Sequence, residues 1–416
     1  MRQYELFIGW RYLRAKPFQT VMSIIGVVLG IVVLVVAFSI WSGLEDALRG
    51  RLLGSEAHLV VWKAGGGFRD YEEFIDLTAE IPGIIAAAPT VVSEVLLQSR
   101  TAKQRKAGAQ VRGVDAARAG KVANISEYLS SGELRFDRDE TIRAGRSRLS
   151  KDDTVKGGII VGSGLARKLG VTVGDPVLMY ATFVKGPTGY MPVMRNFVVV
   201  DIYQSGLYEI DAAVAYIDFS VAQDVFDLPG VATQVELRAG DPDAAAGIKR
   251  EILERHGLLY IPKTWQEMRG VFFYWLRLEK IGAMIIFGAI VLVAGFSIAI
   301  ALVMLVREKT REIGILRAMG AGARGVRGIF MLHGTVIGVM GVVVGTGLGL
   351  LICALVVRLD VPLPGDVYQI EHVPVALSWR FILLVDALTL VMCWLMSLLP
   401  ATRAAKLHPV EALRYE

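Results

Sequence analysis

"VREKTREIGILRAMGAGARG", residues 306–325, lies between two long apolar stretches, "IGAMIIFGAIVLVAGFSIAIALVMLV" (281–306) and "GIFMLHGTVIGVMGVVVGTGLGLLICALVV" (328–357). A helix of about 20 apolar residues crosses a bilayer, and both neighbours exceed that. The charged stretch therefore reads as the turn of a two-span hairpin. From Arg307 to Met319 its residues are good helix formers. Ile313, Leu316 and Met319 or Gly320 recur at helical spacing among Arg and Glu. Gly320 and Gly322 supply stops. A short amphipathic helix in so small a loop cannot bury its apolar stripe there. It lies on lipid headgroups or docks in a groove on a soluble partner.

Two further stretches have the same character. "PFQTVMSIIGVVLGIVVLVVAFSIWSGL" (17–44) carries no charge, and "FILLVDALTLVMCWLMSLLPAT" (381–402) carries one acid, Asp386. The 416 residues are 54% hydrophobic and 20% charged, which is too apolar for an ordinary soluble protein. The net charge of +5 is modest, and no stretch interleaves basic and aromatic residues as a nucleic-acid groove would. Lysine and arginine near the span ends set the orientation. Residues 1–16 carry Arg2, Arg11, Arg14 and Lys16; 307–327 carry Arg307, Lys309, Arg311, Arg317, Arg324 and Arg327; 403–416 carry Arg403, Lys406 and Arg414. The loop 358–380 has only Arg358 and Arg380, at its edges. The first three segments are expected in the cytoplasm. The loop and the stretch 45–275 are expected outside, since a long domain translocates whatever its charge. The first span reads as an uncleaved anchor: its apolar run is too long for a signal peptide and no small-residue cleavage site follows. The expected fold class is an α-helical integral membrane protein with four transmembrane helices, plus a large mixed α/β periplasmic domain between helices 1 and 2.

Within 45–275, "AHLVVW" (57–62), "EVLLQSR" (94–100) and "AQVRGVD" (109–115) are strand-like, the last two placed to pair across a basic turn. "GGIIVGSGLARKLGV" (157–171) reads as strand, turn and helix. "PVLMYA" and "NFVVVDIY" are two strand-like arms separated by about a dozen residues, more than a usual hairpin loop. That loop, 181–195, holds Gly186, Pro187, Gly189 and Pro192 with Phe183, Tyr190, Met191 and Met194. It is a docking surface or a hairpin tip folded on its own domain. Cys353 and Cys393 fall inside spans three and four, so no disulfide framework is expected in the domain. No G-x-x-x-x-G-K-[ST], HExxH, CxxC or GxSxG occurs and the five histidines lack ligand spacing, so neither a metal nor a catalytic residue is expected. Gly334 and Gly338, then Gly341, Gly345 and Gly349, recur every fourth residue of span three, and Gly26 and Gly30 do so in span one. Such ridges let helices approach closely, within one chain or between two. Asp386 asks for a partner or for the interface, and His333, near the inner face of span three, points to no function.

"VREKTREIGILRAMGA" resembles the cytoplasmic coupling segment of the MacB/FtsX-like (type VII) ABC transporter permeases, and "PATRAAKLHPVEALRYE" (400–416) resembles their C-terminus. "LFIGWRYLRAK" (6–16), "TWQEM" (264–268), "LRLEKIGAMIIF" (276–287) and "SGLYEID" (205–211) resemble the LolC/LolE branch, the lipoprotein-releasing permeases. The resemblance spans nearly the whole chain and is weakest over 101–156. It implies a bacterial inner-membrane permease that lifts lipoproteins from the outer leaflet and passes them to a periplasmic LolA-like carrier. A separate LolD-like ATPase would bind ATP and Mg, leaving this chain without a cofactor. A second permease, the same or homologous, and membrane lipids complete the partners. It also implies that Glu308, Lys309, Thr310, Arg311, Glu312, Ile313, Leu316 and Arg317, with the stop Gly320, couple to that ATPase. Loop 181–195 occupies the place of the family's carrier-binding hook, which would comprise Phe183, Lys185, Pro187, Tyr190, Met191, Pro192 and Met194. A MacB-like efflux permease and an FtsX-like regulator of cell-wall hydrolases remain the alternatives.

Overall fold

The computed structural model describes residues 7–9, 11, 17–101, 104–150, 153–186, 189–362 and 372–407. The chain forms two compact units. One comprises residues 1–46, 274–362 and 372–416, and the other 47–273 with 363–371.

Helix α1 (Pro17–Ser55) comes first. The second unit then runs β1 (Leu59–Lys63), α2 (Tyr71–Ala79), β2 (Ile84–Ser99), β3 (Lys106–Val114), α3 (Ala116–Val122), α4 (Asp139–Arg146), β4 (Val155–Gly162) and α5 (Ser163–Leu169). It continues with β5 (Pro176–Gly186), β6 (Gly189–Tyr203), α6 (Tyr208–Asp211), β7 (Val214–Asp218), α7 (Phe219–Val225), β8 (Gln234–Ala239), α8 (Ala245–His256), β9 (Tyr260–Thr264) and α9 (Trp265–Met268). Four helices follow: α10 (Gly270–Glu308), α11 (Thr310–Ala318), α12 (Ala323–Leu359) and α13 (Trp379–Lys406).

The nine strands form one sheet in the order β3-β7-β4-β6-β5-β2-β8-β1-β9, and β2 also pairs with β3. Six strands thus close a ring, and β8, β1 and β9 extend it from the first half of β2. The pairs β3–β7 and β4–β6 are parallel. Alternation along the strands sends residues to two cores. Ile159 and Val161 join Val177, Met179, Phe197 and Val199 under α5 and α7, while Ile160 turns the other way, to Val200, Tyr203 and Tyr216. The two strands expected at 94–100 and 109–115 do pair, but over Thr90–Gln98 against Lys106–Val114, inside a 16-residue β2. Strands β7, β8 and β9 add to those read from sequence, and β8 ("QVELRA") alternates strictly between polar and apolar residues.

The two short motifs of the domain are local structure. In "SGLYEID" the Asp211 carboxylate accepts from the Ser205 N–H and hydroxyl, both at 2.8 Å, and from the Gly206 N–H at 3.1 Å. Gly206 sits at φ +79°, which favours glycine. In "TWQEM" Thr264 and Glu267 form a capping box: the Glu267 N–H donates to the Thr264 hydroxyl and the Thr264 N–H to the Glu267 carboxylate. Deep in the domain Arg112 and Glu236 form a buried ion pair. Gln234 donates to the same Glu236 oxygen at 2.8 Å, and the guanidinium lies 5.9 Å from the Tyr216 ring centre.

In the first unit α1, α10, α12 and α13 are each long and apolar enough to cross a membrane. The helices outrun the apolar stretches read from sequence. Hydropathy windows end at the first charges, whereas helix formation does not: beyond residue 44, "EDALRGRLLGS" stays helical as an amphipathic turn-by-turn pattern. The bundle core joins Val27, Ile31 and Val35 of α1, Ile298, Leu302 and Leu305 of α10, Ile329, Phe330 and Ile337 of α12, and Ile382 and Cys393 of α13.

Candidate coupling site

The segment between α10 and α12 is one short helix held at both ends. The Thr310 hydroxyl donates back to the carbonyls of Val306 (3.0 Å) and Arg307 (2.8 Å), which turns the chain out of α10 into α11. Lys309 pairs with Glu312 across the first turn. At the other end Gly320 stands at φ +95° and stops the helix.

The stripe expected from sequence divides. Ile313 is 1% exposed and belongs to the apolar cluster of its own bundle, beside Leu305, Val326, Ala401 and Ala404. Leu316 is half-buried. Arg317 turns inward, donating through Nη1 to the carbonyls of Ala405 (3.0 Å) and Leu407. The outward face is Arg311, Glu312, Ile315 and Met319, with Glu308 exposed just before it. Ile315 is 45% and Met319 81% exposed. Periodicity marked the helix as amphipathic but not which apolar residues face out. Met319 belongs to the stripe expected from sequence, whereas Ile315, four residues before it, does not.

The glycine ridge of α12 serves this chain's own packing. A methyl group on Gly341, Gly345 or Gly349 would stand 2.8–2.9 Å from the Cβ of Val27, Ile31 or Val35 of α1, respectively. Gly334 and Gly338 meet Ser397 and Cys393 of α13 in the same way. Gly30 has only Ile290 near it, at 3.7 Å, and Gly26 has nothing within 4 Å. Asp386 of α13 accepts a hydrogen bond from the Thr346 hydroxyl of α12 at 2.8 Å. His333 and both cysteines are buried. Between α1, α10 and α13 lies an apolar cavity of about 330 Å³, lined by Leu34, Met284, Phe287, Phe381, Leu384 and Thr389 among others.

Residues 181–195 are not a dozen-residue loop. β5 and β6 stay paired through Val184–Met191, Lys185–Tyr190 and Gly186–Gly189, forming a long ribbon. Between Ala181–Val193 and Val184–Met191 two residues oppose one, and that one is Pro192. Proline has no N–H for the ladder, so the irregularity falls there. Phe183, Lys185, Tyr190, Met191 and Pro192 lie on the ribbon strands, and Met194 is 53% exposed. Pro187 and the tail 408–416 lie outside the described residues.

Two family models match the chain: a MacB-like periplasmic core domain over residues 20–255 and an FtsX-like permease C-terminal domain over residues 284–409. The lipoprotein-releasing system transmembrane protein LolC of Xylella fastidiosa (strain 9a5c) is 32% identical, with 98% of each chain aligned. LolC of Neisseria meningitidis serogroup B is 30% identical over the whole of both chains, and LolE of Haemophilus influenzae is 27% identical over 98% of each.

Proposed function

The chain belongs to the LolC/LolE-type permeases of the MacB/FtsX-like ABC superfamily, and from that premise we propose that it is the non-catalytic membrane subunit of a lipoprotein-releasing transporter. It sits in the bacterial inner membrane with residues 307–327 in the cytoplasm and the domain in the periplasm. A separate ATPase binds ATP and Mg and docks on α11. A second permease completes the membrane part, and a soluble periplasmic carrier receives the lipoprotein. The observation that carries this reading is α11 itself: a short helix between two long apolar ones, with Ile315 and Met319 facing outward among charges. An apolar pair rimmed by charge suits a groove on a soluble protein.

The chemistry of the cargo limits the mechanism. Exposing a lipid anchor to water costs about 0.8 kcal/mol per methylene, so a triacyl anchor would need tens of kcal/mol. Extraction therefore shields the chains in apolar protein. The cavity between α1, α10 and α13 is lined by side chains suited to such shielding. Closure of the ATPase on α11 pulls the adjoining ends of α10 and α12, and the periplasmic domain hands the cargo on.

The test is reconstitution. The chain, co-expressed with an ABC ATPase and a second LolC/LolE-type permease from the same genome, should transfer an acylated lipoprotein from proteoliposomes to a soluble carrier on ATP addition. ATP-driven export of small molecules without lipoprotein transfer would instead support efflux. Activation of a cell-wall hydrolase without transfer would support the regulatory alternative.

A further inference from the structure

α11 is fastened to the last turn of α13 by two kinds of contact. Ile313 shares a buried cluster with Ala401 and Ala404, and half-buried Leu407 packs against it. Beside it the Arg317 guanidinium donates to the carbonyls of Ala405 and Leu407. α13 ends at Lys406 with Leu407 as its cap. Its last carbonyls have no partner in a further turn, and the negative end of the helix dipole attracts a cation. A planar guanidinium with several donors can reach two such carbonyls at once.

The covalent connections of α11 differ in length. One residue, Lys309, separates it from α10, whereas four, including Gly320 and Gly322, separate it from α12. The longer link closes as a capping turn, with Gly320 at φ +95° and the Ala321 N–H donating to the Leu316 carbonyl at 3.0 Å. Among the described residues the Thr310 hydroxyl ties the start of α11 back to α10, and Arg317 ties its other end to α13.

We propose that Arg317 is a positioning residue that makes α13 move with α11, so that force entering at the outward face of α11 reaches the fourth long helix. Arg317 thus transmits the docking event and takes no part in the docking contact. The proposal rests on the reading of α11 as an ATPase-docking helix, and its test separates the two.

The complex of chain, ATPase and second permease is reconstituted with Arg317→Gln, Arg317→Lys or Arg311→Gln. Spin labels at Ala321→Cys and Arg403→Cys, with Cys353 and Cys393 replaced by alanine, report the distance from the end of α11 to the end of α13. Arg317→Gln should keep the ATPase bound and hydrolysing. It should broaden the distance distribution and cut lipoprotein transfer about tenfold, the loss of one charge-assisted hydrogen bond's worth of coupling. Arg317→Lys, which keeps the cation at the helix end, should recover most of the transfer and a narrow distribution. Loss of ATPase binding in Arg317→Gln, with Arg311→Gln unaffected, would make Arg317 a docking residue and overturn the proposal. So would wild-type transfer with an unchanged distribution. If Arg317→Gln does not accumulate, the lysine variant decides: wild-type transfer alongside a broadened distribution overturns the tie. A wild-type chain that holds no ATPase refutes the proposed function instead.

Discussion

The division of α11 into an inward and an outward face predicts opposite phenotypes for residues two to six positions apart. Ile313 is 1% exposed in the bundle, whereas Ile315 is 45% and Met319 81% exposed. Full burial of such a side chain contributes about 1.5–3 kcal/mol. Nearly all of that remains available at Met319 and about half at Ile315, while none remains at Ile313. Binding converts buried area to affinity incompletely because docking also orders side chains. Replacing Ile315 and Met319 together by alanine is therefore expected to cost about 2 kcal/mol, a roughly thirtyfold loss of affinity for the ATPase. Thermal stability of the permease should be unchanged. Ile313→Ala should do the reverse. Truncating a buried isoleucine costs about 2–5 kcal/mol of stability, so the melting temperature falls while the folded fraction binds the ATPase as before. Both quantities are measurable on detergent-solubilised protein, by titration of purified ATPase and by a thermal melt. Wild-type affinity in the double variant, or an Ile313→Ala protein that melts normally but fails to bind, would refute the assignment of faces.

Other outcomes follow from particular contacts. Gly341→Ala should lower the melting temperature, since its methyl would stand 2.8 Å from Val27 Cβ and over-packing costs about 1–3 kcal/mol; Gly26→Ala, with open space around it, should be neutral in the same melt. Glu236→Ala leaves Arg112 buried without its partner and should destabilise the domain by about 3–5 kcal/mol, read as early loss of domain circular dichroism, whereas a paired apolar replacement of both residues should be much milder. Replacing residues 184–193 by a Gly-Asn turn should spare folding and basal hydrolysis but abolish carrier capture in a pull-down; undiminished capture would show that the ribbon is not the docking element. The Lys63 ammonium donates to Asp70 at 2.6 Å and holds that carboxyl below its ordinary range. The resulting stability is fully present above the ordinary carboxylate pKa and is lost as pH falls through the lowered one, so acid melts of Asp70→Asn should lack this component.

Much of the architecture was legible because it depends on local sequence properties. Apolar length marks α1, α10, α12 and α13, since a bilayer or a buried bundle asks the same of any helix. Charge and glycine punctuation mark α11 and its stop. The strand-turn-helix of 157–171 appears as β4 and α5 because its alternation and its glycines act within a few residues. Even "SGLYEID" and "TWQEM" have local physical explanations, as an aspartate gathering nearby N–H groups and as a capping box.

What the tertiary structure decided concerns partners far apart along the chain. The four-residue spacing of glycines in α12 announces a close approach, but only the packed bundle assigns Gly341, Gly345 and Gly349 to α1 and Gly334 and Gly338 to α13. Sequence placed a turn-rich loop at 181–195 because Gly186, Pro187, Gly189 and Pro192 punctuate it; register carried from the flanking strands keeps it paired as a ribbon, with the disruption at Pro192. On α11 the periodicity allowed more than one apolar face. Ile313 and Arg317 face inward because Ala401, Ala404, Ala405 and Leu407, about 90 residues later, present small side chains and unpaired helix-end carbonyls to them. Periodicity within a helix fixes which residues share a side, and the side turned outward is chosen by whatever distant chain covers the other.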